Sequence, residues 1–116
     1  MATLKEQIIE AAGRNKGKTV AVKAWGVDAH IRVMSGTERD AFEAAIFTDG
    51  KMNKEKFRSR LLVKTLADAE GKRVFDEADI NQLSEMDSIE LDRLYTLAAK
   101  TNALSKSDVD ELTKNS

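Results

Sequence analysis

Apolar and polar positions alternate with a period of two on either side of Gly26. Val20, Val22 and Ala24 interleave with Ala21, Lys23 and Trp25, and Val27, Ala29, Ile31 and Val33 interleave with Asp28, His30, Arg32 and Met34, which is the pattern of half-buried strands. Gly26 supplies the turn, so the stretch predicts a β-hairpin with one apolar face. A lone hairpin is marginal in water, and the rest of the chain has to cover that face.

The remaining patterns are helical. Thr3-Leu-Lys-Glu6 has the capping-box spacing, and Leu4, Ile8, Ala11 and Ala12 recur at helical intervals until Gly13 ends the segment. Leu4 and Ile8 are read as packing on the core, or alternatively as an arm that docks on a partner. Ser35-Gly-Thr-Glu38 opens a second helix with Ala41, Phe42, Ala45 and Ile46 on its apolar side, ended by Asp49-Gly50. A third helix starts at Asn53 as N-cap and carries Phe57, Leu61, Leu62 and Leu66. Val74-Phe75 is a short strand or a core plug. Asp76, Glu77 and Asp79 cap and charge a short helix containing Ile80 and Leu83. Asp87-Ser-Ile-Glu90 opens a helix with Leu91, Leu94, Tyr95 and Ala98 on one face, the Tyr95 ring packed and its hydroxyl at the edge. Val109 and Leu112 belong to a frayed or partner-dependent helix, with a flexible tail over 113–116. The predicted fold is α+β, mostly α: an N-terminal helix and a β-hairpin packed against four to five short helices, one domain over 1–112.

Composition sharpens this picture in three ways. No proline occurs in 116 residues, which leaves every segment free to continue a helix. No cysteine occurs either, so disulfides and thiolate metal sites are excluded, as suits a reducing compartment. With neither a long apolar run nor a signal-peptide pattern, a cytoplasmic protein without a membrane span is expected. The net charge of −1 conceals a polarity: residues 1–66 hold 13 Lys/Arg against 8 Asp/Glu, and residues 67–116 hold 6 against 12. That polarity balances within one chain or steers one copy onto another.

The candidate chemistry is thin. His30 is the sole histidine, on a strand and without a matching Ser or Cys motif, so it is read as structural. No glycine-rich phosphate loop is present, and one histidine without cysteine excludes ordinary zinc sites. Around Asp68 the EF-hand spacing fails, because Gly71 comes fourth and Lys72 fifth. A non-enzyme without cofactor or metal is expected. The densest positive cluster is Lys51, Lys54, Lys56, Arg58, Arg60 and Lys64, which raises a nucleic-acid-binding or regulatory module using a basic 51–64 helix as the alternative function. No helix-turn-helix, zinc-finger or RNP motif accompanies it, and aromatics total 5%.

Several phrases together carry a family resemblance: two short strands around Trp25-Gly26, the run Val33-Met-Ser-Gly-Thr-Glu-Arg-Asp-Ala-Phe-Glu-Ala-Ala45, a Lys/Arg-studded helix ending in Leu61-Leu-Val-Lys-Thr-Leu66, then Asp68-Ala-Glu-Gly-Lys-Arg-Val-Phe75 and Leu91-Asp-Arg-Leu-Tyr95. Over most of its length the chain resembles the tail assembly chaperones of long-tailed, lambda-like phages and prophages. The resemblance implies a protein of the host cytoplasm that binds the tape measure protein, keeps it soluble and promotes tail tube assembly, and that is absent from the mature virion. It further implies the major tail tube protein as a second partner, self-association into a homo-oligomer, and a frameshift-extended form, for which Lys114-Asn115 is a candidate slip position. No family motif assigns a role to a single residue. The partner-binding candidates are Leu4 and Ile8 on the first helix, Trp25 at the hairpin tip, and Lys54 and Arg58 in the basic cluster. Trp25 is read as an anchor for a partner or, equally, as folded back onto Met34 or a helix.

Overall fold

The protein is seen in a computed structural model that describes residues 2–15 and 18–104. The hairpin forms as the alternation predicts as far as Arg32: β1 (Thr19–Ala24) pairs antiparallel with β2 (Val27–Arg32), with Val20 opposite Ile31, Val22 opposite Ala29 and Ala24 opposite Val27. Beyond the strand Val33 is exposed and Met34 buried, the reverse of the pattern. The apolar residues of the paired strands therefore share one face. Five α-helices join it: α1 (Leu4–Asn15), α2 (Gly36–Ile46), α3 (Phe57–Thr65), α4 (Ile80–Ser84) and α5 (Ser88–Thr101), so the chain is α+β and mostly helical, as expected.

The predicted caps are in place where the signal is local. Ser35 accepts from the Glu38 backbone at 3.1 Å and Glu38 accepts from the Ser35 backbone at 2.9 Å, closing the capping box of α2. Asp76 and Asp79 make the equivalent pair at a 3-10 turn over Glu77–Asp79 that leads into α4. Asp87 accepts from the Glu90 backbone at 2.9 Å and starts α5.

One core unites the pieces. Ile31 from the sheet, Phe42 and Ile46 from α2, Leu61 and Leu62 from α3, Leu83 from α4 and Leu94 from α5 are all sealed from solvent. Phe57 meets Tyr95 edge to face at 5.1 Å between ring centroids, the geometry that aromatic quadrupoles favour. Tyr95 departs from the expected placement, because the whole residue, hydroxyl included, lies inside the core.

Four further boundaries differ. First, α2 stops at Ile46, and Asp49-Gly50 is the turn of a second, tiny hairpin between β3 (Phe47–Thr48) and β4 (Lys51–Met52). Both turn residues have positive φ, 53° and 73°, the requirement of the type I′ turn that matches strand twist. Second, Asn53 caps no helix: its side chain accepts from the Glu55 backbone at 3.0 Å and tightens a turn, and α3 begins at Phe57 after Lys56 in the left-handed region. Third, Leu66 leaves α3 and with Ala67 forms β5, which pairs with Ile31 and His30 as the third strand of a β1-β2-β5 sheet. Pairing there satisfies backbone groups of β2 that an edge would leave open. Val74 follows as a ladder extension, its N–H donating to the Leu66 carbonyl at 3.1 Å beside an Ala67–Arg73 bridge. Fourth, α1 runs past Gly13 to Asn15, and none of the described residues buries its large apolar side chains: Leu4, Ile8 and Ile9 are 71%, 59% and 61% exposed.

Asn102, which the sequence reading passed over, closes the far end of α5. Buried at the C-cap, it accepts from the Met34 backbone at 2.7 Å and donates to the carbonyls of Arg32 at 3.2 Å and Ala98 at 2.9 Å. It stitches the β2–α2 connection to α5 across 68 residues of sequence. The expectations for Val109 and Leu112, the 113–116 tail and Lys114-Asn115 lie outside the described residues. No described helix is long and apolar enough to cross a membrane.

Candidate partner-docking site

The hairpin tip is where sequence and structure converge. Trp25 and Gly26 are the two turn residues, with φ of 50° and 78°. Gly26 adopts that conformation freely, whereas a tryptophan there costs about 1–3 kcal/mol of backbone strain. Something has to hold it, and the first turn of α5 does. The Trp25 backbone N–H donates to Glu90 Oε2 at 2.8 Å and its indole Nε1–H donates to Asp87 Oδ1 at 2.7 Å. Arg93 completes the clamp by donating to both Glu90 carboxylate oxygens, at 2.7 and 2.9 Å, and to the Lys23 carbonyl. Glu90 thus turns to the hairpin, and only the Asp87 half of the expected capping box is made. The Arg93 guanidinium and the Trp25 N–H hold the Glu90 carboxyl down at about 2. Asp87 is also lowered, by the Glu90 backbone N–H and the Trp25 indole.

Trp25 accordingly folds back onto a helix, at α5 rather than at Met34, yet stays 38% exposed. Its exposed part forms one wall of an apolar groove of about 660 Å³. Ala24, Val27 and Ala29 come from the hairpin, Val74 and Phe75 from the segment after β5, and Met86 from the α4–α5 junction. Val27 and Val74 stand largely in solvent, 66% and 56% exposed. Asp28, Asp68 and Asp87 ring the groove. Lys23 donates to Asp28 and holds its carboxyl below the usual range. Asp68 accepts two backbone N–H groups, from Glu70 at 2.9 Å and Lys72 at 3.0 Å.

The other candidates fall elsewhere. Lys54 and Arg58 line a smaller cleft of about 360 Å³ that shares Met86 with the groove. Leu4 and Ile8, one helical turn apart on α1, form a separate exposed stripe with Ile9. The structure brings Trp25, Lys54 and Arg58 onto adjoining surfaces and leaves Leu4 and Ile8 apart from them. The sequence marks Val74 and Phe75 only as a short strand or core plug and Met86 not at all, because only tertiary folding sets them beside the hairpin.

The basic cluster does not form one helical face. Lys51 lies on β4, Lys54 precedes α3 and Lys56 is its N-cap, donating to Asn81 Oδ1. On α3, Arg58 stacks over the Phe57 ring at 4.4 Å and pairs with Asp92 at 3.0 Å, Arg60 donates to the Glu55 carbonyl at 2.9 Å, and Lys64 pairs with Glu77 at 2.9 Å. Two of these pairs join the basic half of the chain to the acidic half, so the charge polarity is partly balanced within one molecule. His30 is half-buried, its Nδ1 2.9 Å from the Thr19 hydroxyl, and no described cluster of His, Cys, Asp and Glu has metal-holding geometry. Comparison of the chain with protein-family models, with curated proteins and with solved structures gives no match in any of the three.

Proposed function

We propose that this protein is a phage tail assembly chaperone, which binds the tape measure protein, keeps it soluble, promotes tail tube assembly around it and does not remain in the virion. The observation that carries this reading is α1: a 12-residue helix with Leu4, Ile8 and Ile9 exposed and covered by none of the described residues. A contiguous apolar stripe on an otherwise polar helix marks a surface made for another protein. A client that is long, helical and apolar is the kind such a stripe covers. The resemblance in phrase over most of the chain supplies the identity of the client, with the major tail tube protein as second partner and self-association as part of the same reading. The rival nucleic-acid reading has less in its favour, since Lys56, Arg58, Arg60 and Lys64 are engaged by neighbours within the chain.

The test is co-expression with the product of the long reading frame next to this one, followed by pull-down and assay of that product's solubility. The reading expects a soluble complex that needs this chain and is lost when Leu4, Ile8 and Ile9 are changed to glutamine. A partner equally soluble without this chain, with no complex formed, overturns it. Salt-graded binding to nucleic acid, with log affinity falling linearly in log salt, then becomes the experiment of choice.

A further inference from the structure

We infer that the groove at the hairpin tip is a second docking site, distinct from the α1 stripe, and that it takes an apolar stretch of a partner protein flanked by lysine or arginine. The inference does not depend on which protein the partner is. Its floor is continuous with the core, because Leu66 and Ala67 are buried beneath it. Beside the Trp25 wall stand the exposed aliphatic residues Val27 and Val74, which no described element covers. At about 660 Å³ it lies within the range of about 300–1,000 Å³ typical of binding pockets. Burial of apolar side chains there supplies affinity without selectivity.

Selectivity comes from the rim. Every charged residue among those described as lining the groove is an aspartate: Asp28, Asp68 and Asp87. Only Asp28 faces a cation, Lys23, whereas Asp68 and Asp87 are held by backbone and indole N–H groups that leave the formal charge in place. An apolar segment edged with acidic residues meets like charge at this rim, while one edged with lysine or arginine meets opposite charge. The groove therefore discriminates by the flanks of what it binds.

Trp25 is the only tryptophan in the chain and forms a wall of the groove, so its emission reports occupancy directly. Two tryptophan-free amphipathic peptides of about five helical turns, one of leucine and lysine and the other of leucine and glutamate, are titrated into the full-length protein. The lysine peptide should shift Trp25 emission saturably and bind at least ~10-fold tighter than the glutamate peptide, with the advantage shrinking as salt rises. Val27→Lys and Val74→Lys, at exposed positions that leave the fold intact by circular dichroism, should each weaken the lysine peptide ~10-fold or more, and Asp28→Asn should weaken it less. Changing Leu4, Ile8 and Ile9 to glutamine should leave it unaltered. Equal binding of the two peptides, indifference to both valine variants, or loss through the α1 changes instead would overturn the inference. So would light scattering that shows a dimer dissociated by Val27→Lys without peptide, since the occupant would then be a second copy of this chain.

Discussion

Replacing Leu4, Ile8 and Ile9 together with glutamine decides whether α1 is core or docking surface. Glutamine has nearly the helix propensity of leucine, so the change tests packing rather than helix formation. A fully buried aliphatic side chain is worth about 1.5–3 kcal/mol of transfer free energy. These three residues retain 59–71% of their exposure, so less than half of that is at stake at each, about 0.5–1 kcal/mol. Part of even this shielding comes from the turns of α1 itself, which survive the change. The triple variant should therefore lose less than about 3 kcal/mol, read as a small drop in urea midpoint at unchanged m-value. Were the three in the core, truncation would cost about 2–5 kcal/mol each and exhaust the stability of a domain worth about 5–15 kcal/mol in total. A loss above about 4 kcal/mol would refute the reading of α1 as a free surface. The same variant, folded, should fail to keep the partner soluble.

Asn102→Ala strands the buried Met34 N–H and removes two further bonds, and should cost about 2–4 kcal/mol in urea unfolding; a loss under about 1 kcal/mol would mean that the C-terminal stitch of α5 is dispensable. Gly50→Ala meets open space around its new Cβ but is forced to φ near +73°, so it should destabilise by about 1 kcal/mol through the backbone alone. For pH, burial pushes the Glu38 carboxyl up, but Arg32 and the Ser35 backbone N–H outweigh it and hold it at about 2. Glu77 is held at about 2 by Lys64, against a smaller upward push from burial and with Arg73 assisting. Carboxyls depressed in the folded state stabilise it above their unfolded pKa near 4.5 and lose that effect as pH falls toward 2. Thermal midpoints should stay flat from pH 7 to about 5 and fall below that, with the fall blunted in Glu38→Gln and Glu77→Gln; an unblunted fall would place the acid sensitivity in other groups.

What the sequence made legible is what local chemistry specifies. The β1–β2 register follows from alternation about a glycine, and the caps at Ser35, Asp76 and Asp87 follow from side chains reaching two or three residues along their own helix. Asp49-Gly50 is a strong I′ signal, but the two-residue strands β3 and β4 are too short to show alternation, so the pattern reads as a helix end. Leu66 is in helical phase with Leu62, which points to α3, but β2 offers its backbone a pairing that periodicity cannot see. At Leu4 and Ile8 the spacing correctly gave an apolar side to α1. It could not reveal whether anything lies against that side. The groove is illegible for the same reason, being made where three segments distant in sequence meet.

Trp25 joins two readings that looked exclusive. Its indole N–H and backbone are tied to α5, while the remaining ring faces the groove, so its structural and binding roles use different atoms and separate by mutation. Trp25→Phe keeps an aromatic wall and drops the bond to Asp87. Trp25→Asn suits the positive φ of the turn, as asparagine tolerates the left-handed region, but removes the wall. With an intrinsic-fluorescence report no longer available, calorimetry with the leucine–lysine peptide replaces it. Trp25→Phe should unfold at lower denaturant than wild type yet bind the peptide within a few-fold. Trp25→Asn should fold with its hairpin dispersion intact by NMR and bind distinctly more weakly. If the asparagine variant bound as tightly as wild type, the ring would be no part of the groove. If it failed to fold, the clamp on α5 would be what keeps the sheet against the helices, and the hairpin tip would be structural first.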